Sequence, residues 1–396
     1  MNNWEVKKLG DVCSFFNGQP HEKVIDENGK YKLINSKFVS SEGENFKRTN
    51  NALSPLFVND IVMVMSDVPN GKTLAKCFIV DKDDTYTLNQ RICVIRSKNF
   101  DTRFLYYQLN RNKYLLSFDN GENQSNLRKD DILNCKLLVP PLLEQQRIVE
   151  ILDEAFTAIA KAKANAEQNL KNAKELFESY LQGVFENGNE NWETKCLDEL
   201  GKITSSKRIY KSEYVKDGIP FYRTKEIKEL SNGKNITLEL FISRDKYNEI
   251  KKSFGVPQIN DLLMSAVGTI GEIMVIENDD EFYFKDGNIV WFKEFKSLDT
   301  NYLKFALTAF VEKIKSLAIG AAYSALTIEK LNKYQISFPK AIEEQQVIVQ
   351  KLNILSAETK KLEAIYHQKI NDLEELKKSV LQKAFSGELK TAKALV

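Results

Sequence analysis

The chain of 396 residues repeats itself once, at a spacing near 200. That repeat constrains the fold more than any local motif, because two similar halves must fold alike. Trp4-Glu5 recurs as Trp192-Glu193, with Lys7 matching Lys195 and Leu9 matching Leu197. Asn59-Asp60-Ile61 recurs as Asn260-Asp261-Leu262, and Met63 as Met264. Gly121, Ser125, Leu127 and Pro140 return as Gly320, Ser324, Leu326 and Pro339 at an offset of 199. Glu144-Gln145-Gln146 returns as Glu344-Gln345-Gln346, and an offset of 200 then holds from Ile148/Ile348 to Phe185/Phe385. Between these anchors the halves diverge.

Each half contains two kinds of sequence. Residues 1–143 and 187–342 carry short β-type runs such as Ile61-Val62-Met63-Val64-Met65 and Asn288-Ile289-Val290-Trp291-Phe292, separated by Asn/Asp/Gly clusters. With short helices near 101–117 and 299–317, each reads as a mixed α/β module of α+β class. Residues 144–186 and 343–390 carry apolar residues at alternating steps of three and four. The first series is Val149, Leu152, Phe156, Ile159, Ala166, Leu170, Ala173, Phe177, Tyr180 and Val184, broken at Lys163. The second is Ile348, Leu352, Leu355, Leu362, Tyr366, Leu373, Leu376 and Val380, broken at Thr359 and Lys369. Pro140-Pro141 suits a helix start and Gly188 and Gly387 suit helix ends. A helix of that length spans about 65 Å and cannot bury its own seam. The economical arrangement pairs the two stretches as an antiparallel coiled coil; packing of each seam on its own module is the alternative. The two lysine breaks read as seam lysines with stems over apolar surface, and register setting is the lesser reading.

The expected chemistry is thin. Two histidines make a histidine metal site or general base a poor prospect, and five cysteines without a C-x-x-C pair read as reduced thiols. No P-loop, G-x-G-x-x-G or G-x-S-x-G occurs, and Pro140-Pro141 lacks the preceding Asn and following aromatic of an amino-methyltransferase motif. A carboxylate–lysine nuclease can be drawn only from Asp217 with Glu226-Ile227-Lys228. With 57 Lys and Arg against 55 Asp and Glu, no polybasic membrane surface is expected, and no apolar run suits a membrane span. A globular, cytoplasmic, non-enzymatic protein is the expectation.

Candidate recognition residues sit in polar loops. In the first module they are Asn35, Ser36, Lys37, Asn70, Lys72, Thr73, Gln90, Arg91, Asn123 and Gln124; in the second, Arg223, Thr224, Lys225, Thr269, Lys285, Asn288, Tyr323 and Ser324. Arg and Lys suit guanine edges and phosphates, and Asn and Gln suit adenine edges. For any single residue a plain solvated loop is the simpler reading. The recurrence of Gly121/Gly320 and Ser125/Ser324 favours a shared turn, and Trp4 and Trp192 read as scaffold. Glu144, Gln145, Gln146, Glu344, Gln345 and Gln346 read either as helix-start chemistry or as docking points for another subunit.

Taken together, the duplicated order of divergent module, proline, Glu-Gln-Gln and long helix, with the closing Leu381-Gln382-Lys383-Ala384-Phe385-Ser386-Gly387-Glu388-Leu389, resembles the specificity subunits of type I restriction-modification enzymes over essentially the whole chain. Gly183 departs slightly, as a residue expected to fray the first helix end. The resemblance implies two target-recognition domains, 1–143 and 187–342, each reading half of a split sequence in double-stranded DNA. It implies spacer helices at 144–186 and 343–390 that hold the domains apart and bind two modification subunits. Those subunits would use S-adenosylmethionine to methylate adenine, and restriction subunits would add ATP- and Mg2+-dependent cleavage; this chain would carry no cofactor. A coiled-coil scaffold whose modules bind protein is the alternative, and a nuclease with an unrecognised site a further one.

Overall fold

The computed structural model describes residues 4–68, 71–97, 100–119, 121–186, 188, 190–268, 270–317, 326–386 and 388, the side chains of 314–317 excepted. It divides into two units: residues 1–165 with 369–396, and residues 166–368. Each holds one module and parts of both long helices.

In the first unit a four-stranded antiparallel sheet runs in the order Ser14–Asn17, Ile92–Arg96, Ile61–Val64, Cys77–Ile79. Ile61-Val62-Met63-Val64 is apolar at every position because the strand is central and covered on both faces. Side chains alternate across the pleat. Ile61 and Met63 therefore enter one core, with Phe104, Leu152 and Ala384, while Val62 and Val64 enter another, with Ile34, Phe38 and Leu88. The second core is closed by a smaller sheet, Lys47–Thr49, Tyr31–Ile34, Tyr86–Leu88, whose last pair is parallel. An antiparallel ribbon, Glu5–Lys8 with Lys136–Val139, brings the start of the module beside its end.

The second unit repeats this plan. Its large sheet runs Lys202–Thr204, Ile289–Lys293, Leu262–Ser265, Ile273–Val275. Leu262 and Met264 face one core, and Leu263 faces the other with Trp291. The smaller sheet runs Tyr214–Val215, Phe241–Ile242, Ile219–Tyr222, Tyr283–Phe284, again with a parallel last pair, and the ribbon joins Glu193–Cys196 to Gln335–Phe338. The repeated Asn-Asp is one turn built twice. Asn59 and Asn260 take φ of 70° and 73°, a left-handed conformation that asparagine tolerates well. The following Asp60 and Asp261 carboxylates accept from the Phe57 and Gln258 amides at 2.8 and 2.9 Å.

The long helices run Leu142–Glu186 and Ile342–Ser386. They begin one or two residues before the sequence expectation. The second ends at Ser386, four residues short of the expected 390; Gly387 and 389–390 lie outside the described residues. Gly183 stays within the first helix rather than fraying it. The pairing is antiparallel in each unit taken alone. In the first, Ile148, Val149 and Leu152 from one helix start meet Ala384 from the other helix end, and Lys163 Nζ lies 2.5 Å from Glu374. In the second, Val349 and Leu352 meet Leu181, and Lys174 reaches Glu363 at 3.8 Å. The Lys163 ammonium thus has a partner of opposite charge on the facing helix, a contact that its reading as a seam lysine did not include. The expected seam shifts in places. Tyr180, Leu362 and Leu376 are 44%, 40% and 48% exposed, while Leu181 and Thr359 are buried. Leu181 is claimed by the second module's core, so at that end the helix face follows the module and not a strict heptad.

Gln145 and Gln345, the central glutamines of the repeated triplet, join helix to module. Gln145 is buried; its Oε1 accepts from the Asp101 amide at 2.8 Å and its Nε2 donates to the Pro140 carbonyl at 2.9 Å. Gln345 is buried likewise, accepting from Asp299 N at 2.7 Å and donating to Pro339 O at 2.8 Å. Asp101 and Asp299 in turn cap the helices Thr102–Leu109 and Thr300–Leu317. These two glutamines are therefore internal bolts, which corrects their assignment as docking residues: a buried amide with both ends satisfied presents nothing to another subunit. Gln146, Glu344 and Gln346 are exposed and Glu144 is half-buried. Replacing Gln145 or Gln345 by Ala is expected to cost about 1–3 kcal/mol for each buried backbone group left unpaired. Urea unfolding of single variants measures this, and a loss below about 0.5 kcal/mol would contradict it.

Candidate nucleic-acid interface

The two modules share two backbone bonds that bring their candidate loops together. In the first, Asn89 N donates to Ile34 O at 3.0 Å, seating the Asn89-Gln90-Arg91 loop beside Asn35. Met65 N donates to Arg91 O at 3.1 Å, and Leu127 N to Met65 O at 2.7 Å, which draws in the 123–126 segment. Gln124 Nε2 donates to Ser66 Oγ at 2.7 Å, and the Thr73 amide donates to Asp67 at 2.6 Å. In the second module Lys285 N donates to Tyr222 O at 2.9 Å, and Ala266 N to Asn288 O at 2.8 Å. The matching places are thus Asn35 with Arg223, Asn89 with Lys285 and Arg91 with Asn288. The scaffold is the same and the side chains differ.

Individually the candidates fall into groups. Lys37, Lys72, Gln90, Arg91, Asn123, Gln124, Lys225 and Lys285 are exposed. Neither Arg91 nor Lys285 makes an ion pair among the described residues. Asn35 is half-buried and its carboxamide oxygen accepts from Phe38 N at 3.0 Å, capping the short helix Ser36–Ser40, of which Ser36 is the first residue. That bond uses the acceptor an adenine edge would need, so Asn35 is a cap first. Thr73 is half-buried over Asp67, and Thr224 and Asn288 are half-buried. Asn70, Thr269, Tyr323 and Ser324 lie outside the described residues. Gly121 takes φ 72°, its amide donates to Asp119 Oδ1 at 3.0 Å, and Ser125 Oγ donates to the same oxygen at 2.6 Å. The first member of the Gly/Ser repeat is therefore a turn, as read; Gly320 and Ser324 lie outside the described residues.

Arg223 departs from its reading as a free base reader. Its Nη2 donates to Glu226 at 2.6 Å and to Glu239 at 2.7 Å, and Lys225 reaches Glu239 at 2.8 Å. Hydrogen bonds to Glu226 first, and then to Glu239, hold the guanidinium firmly charged. Burial raises the Glu226 carboxyl, but the Arg223 side chain and amide bonds outweigh it and leave the pKa below the usual range. Nε and Nη2 of Arg223 are thus committed to the two carboxylates, and the Lys225 ammonium holds Glu239 as well. The same contacts dispose of the nuclease drawing. Glu226 and Lys228 lie on the helix Thr224–Ser231, not on a strand; Glu226 is committed to Arg223, and Lys228 faces Glu272 at 4.0 Å. Asp217 Oδ1 accepts from the adjacent Gly218 amide. One other acidic group, Cys196 with Asp198 and Glu199, has its ligand atoms within 4.8 Å of one another. It is occupied as a helix cap, Glu199 accepting from Cys196 N at 2.8 Å.

The sequence reading missed the loop 205–211. It lies against 285–288: Gly287 N donates to Ser205 Oγ at 3.2 Å, and Arg208 Nε to Asp286 at 2.7 Å. It carries exposed Lys207, Arg208, Tyr210 and Lys211. The Lys-Arg-x-Tyr-Lys run was the available signal.

Comparison with known proteins agrees with the duplication. The family model for the type I restriction modification DNA specificity domain matches twice, at residues 1–171 and 189–375. The chain is 29% identical over 267 residues to a putative type I restriction enzyme specificity subunit, S.HindORF215P, of Haemophilus influenzae, an alignment spanning 66% of each protein. It is 22% identical over 413 residues to the type I restriction enzyme MjaVIII specificity subunit of Methanocaldococcus jannaschii, covering 98% of this chain and 93% of that one. In fold it is similar to a chain of a solved type I R-M system, with TM-score 0.78, 19% identity and 98% and 99% of the two chains covered. Two modules whose large sheets share one strand order, each bolted to a long helix and each matched by the same domain model, establish that this chain belongs to the type I restriction modification DNA specificity family.

Proposed function

We propose that the chain is the specificity subunit of a type I restriction-modification complex: it reads a bipartite target in double-stranded DNA and directs adenine methylation and restriction by partner subunits. The observation that carries this reading is that two backbone bonds recur in both candidate interfaces around different side chains, with Asn35, Asn89 and Arg91 standing where Arg223, Lys285 and Asn288 stand in the other module. One scaffold with two edges suits two different half-sites. The long helices act as the spacer between half-sites and as the seat of two modification subunits. Those subunits supply S-adenosylmethionine chemistry, and restriction subunits supply ATP- and Mg2+-dependent cleavage. This chain contributes recognition without catalysis, in the cytoplasm. The near-neutral charge of +2 fits a subunit whose partners share the phosphate contacts.

Module exchange tests it. Replacing residues 1–143 by the corresponding module of a related protein should change one half of the methylated motif and leave the other intact, as read by methylation mapping of the host genome. A folded chimera that changes both halves, or directs no methylation where the parent does, counts against the proposal.

A further inference from the structure

Within the second module, we infer that the loop from Lys207 to Lys211 is the element that grips the phosphodiester backbone of duplex DNA. On this inference Lys207 and Lys211 contact phosphates and Tyr210 lies against the sugar. It rests on the DNA-reading function proposed above and names a binding element outside the candidate residues of the sequence.

The loop is rigid where it meets the module. Ile209 is buried in the core of the small sheet, with Phe221 and Tyr283. Lys207 N donates to the Tyr283 hydroxyl at 2.7 Å, and Ser205 Oγ accepts from Gly287 N. Beyond Ile209, Tyr210 N donates to the Glu213 carboxylate at 2.8 Å, and Glu213 N donates back to Tyr210 O at 2.9 Å. This closed turn fixes the backbone of Tyr210 while its side chain is 63% exposed. A large aromatic held outward on a fixed backbone gives the fold little and offers a flat face at low entropic cost. Lys211, beside it, makes no ion pair among the described residues, and Lys207 has only Glu249 at 3.5 Å. Arg208 is tied to Asp286 and serves to brace the loop against 285–288. In the same loop the Ser206 hydroxyl is buried without a hydrogen-bond partner among the described residues.

The first module shows the contrast. Its equivalent loop follows Ser14–Asn17 and is seated by Gly18 N on Ile92 O at 3.1 Å and by Gln19 N on Leu88 O at 3.0 Å. There His21 turns inward, fully buried, with its ring nitrogens on Gln19 O and Thr87 Oγ1. What remains exposed is Gln19, Pro20, Glu22 and Lys23. This place in the scaffold is cationic and aromatic in the second module and nearly neutral in the first, so the grip on phosphate assigned to this loop belongs to the second module alone.

Binding of the full chain to duplex DNA, measured against salt, tests this. Each lost phosphate contact lowers the slope of log affinity on log salt by about 0.9. The Lys207→Ala/Lys211→Ala variant should lower it by about 2, weakening all sequences alike and leaving the methylated motif of the assembled complex unchanged. Lys23→Ala in the first module should leave the slope as it is. Tyr210→Ala should weaken binding to every sequence while Tyr210→Phe retains it. An unchanged slope in the double variant, or an altered motif, overturns the assignment of the loop alone. A parent chain and complex with no salt-dependent affinity for DNA would overturn the DNA-reading proposal itself, and this inference with it.

Discussion

Adding one heptad to both long helices, between Ala166 and Leu170 and between Tyr366 and Ile370, should widen the unread gap of the target by about one to three base pairs while both half-sequences stay the same. Seven residues make two turns of a supercoiled pair, so the seam returns to phase on either side of the insertion. The added rise is about 10 Å, or roughly three base pairs at 3.4 Å each. Both helices must be lengthened because they are joined pairwise, as Lys163 with Glu374 and Lys174 with Glu363. A single insertion would set those pairs out of register and be expelled as a bulge. Groove geometry limits the result, since duplex DNA presents one face every 10–10.5 base pairs and a module moved by three must also turn around the axis. Methylation mapping gives the gap directly. An active, folded variant with the parental gap would show that the helices do not set the spacing.

The second large effect separates two arginines that look alike in sequence. Arg223→Ala strands the Glu226 carboxylate, which is only 2% exposed and is otherwise held by a backbone amide. Removing one partner of a buried pair costs about 3–5 kcal/mol, and the 31% exposure of the Arg223 side chain places this loss near the lower end. Urea unfolding should show it, and Glu226→Gln in the same chain should restore part of it, because the stranded charge is then gone. The cluster also predicts an acid response. Hydrogen bonds from Lys225 and Arg223 bring the Glu239 pKa down to about 2. Its stabilising contribution is therefore complete above the ordinary glutamate range and fades as pH falls from about 4.5 toward 2, and Arg223→Ala should weaken that dependence. Arg91→Ala, by contrast, removes an exposed guanidinium that makes no ion pair among the described residues. It should leave unfolding unchanged and relax one position of the motif by about 1–3 kcal/mol if the side chain is bidentate to guanine. Equal melting of the Arg223→Ala variant and the parent, with a relaxed base, would reverse the two assignments.

The sequence by itself determined the duplication, the two kinds of segment, the long helices to within a few residues, and the family. These follow from local rules: heptad spacing, a proline before a helix, fully apolar strands, and an offset that holds through the helices. Tertiary structure alone decided the roles of single polar residues. Gln145 and Gln345 look like the exposed glutamines beside them until the Asp101 and Asp299 amides are seen to face them. Arg223 and Arg91 differ because Glu239, sixteen residues on, folds back onto one of them. Lys163 gains its charged partner only because Glu374, 211 residues away, stands opposite. The loop at 207–211 joins the interface through Tyr283, Asp286 and Gly287, none of which precedes it closely in the chain. Periodicity is a property of neighbours in sequence and survives without a partner. The availability of a charge or an amide is set by whichever group lies within about 3 Å, and contacts at long sequence separation settle that.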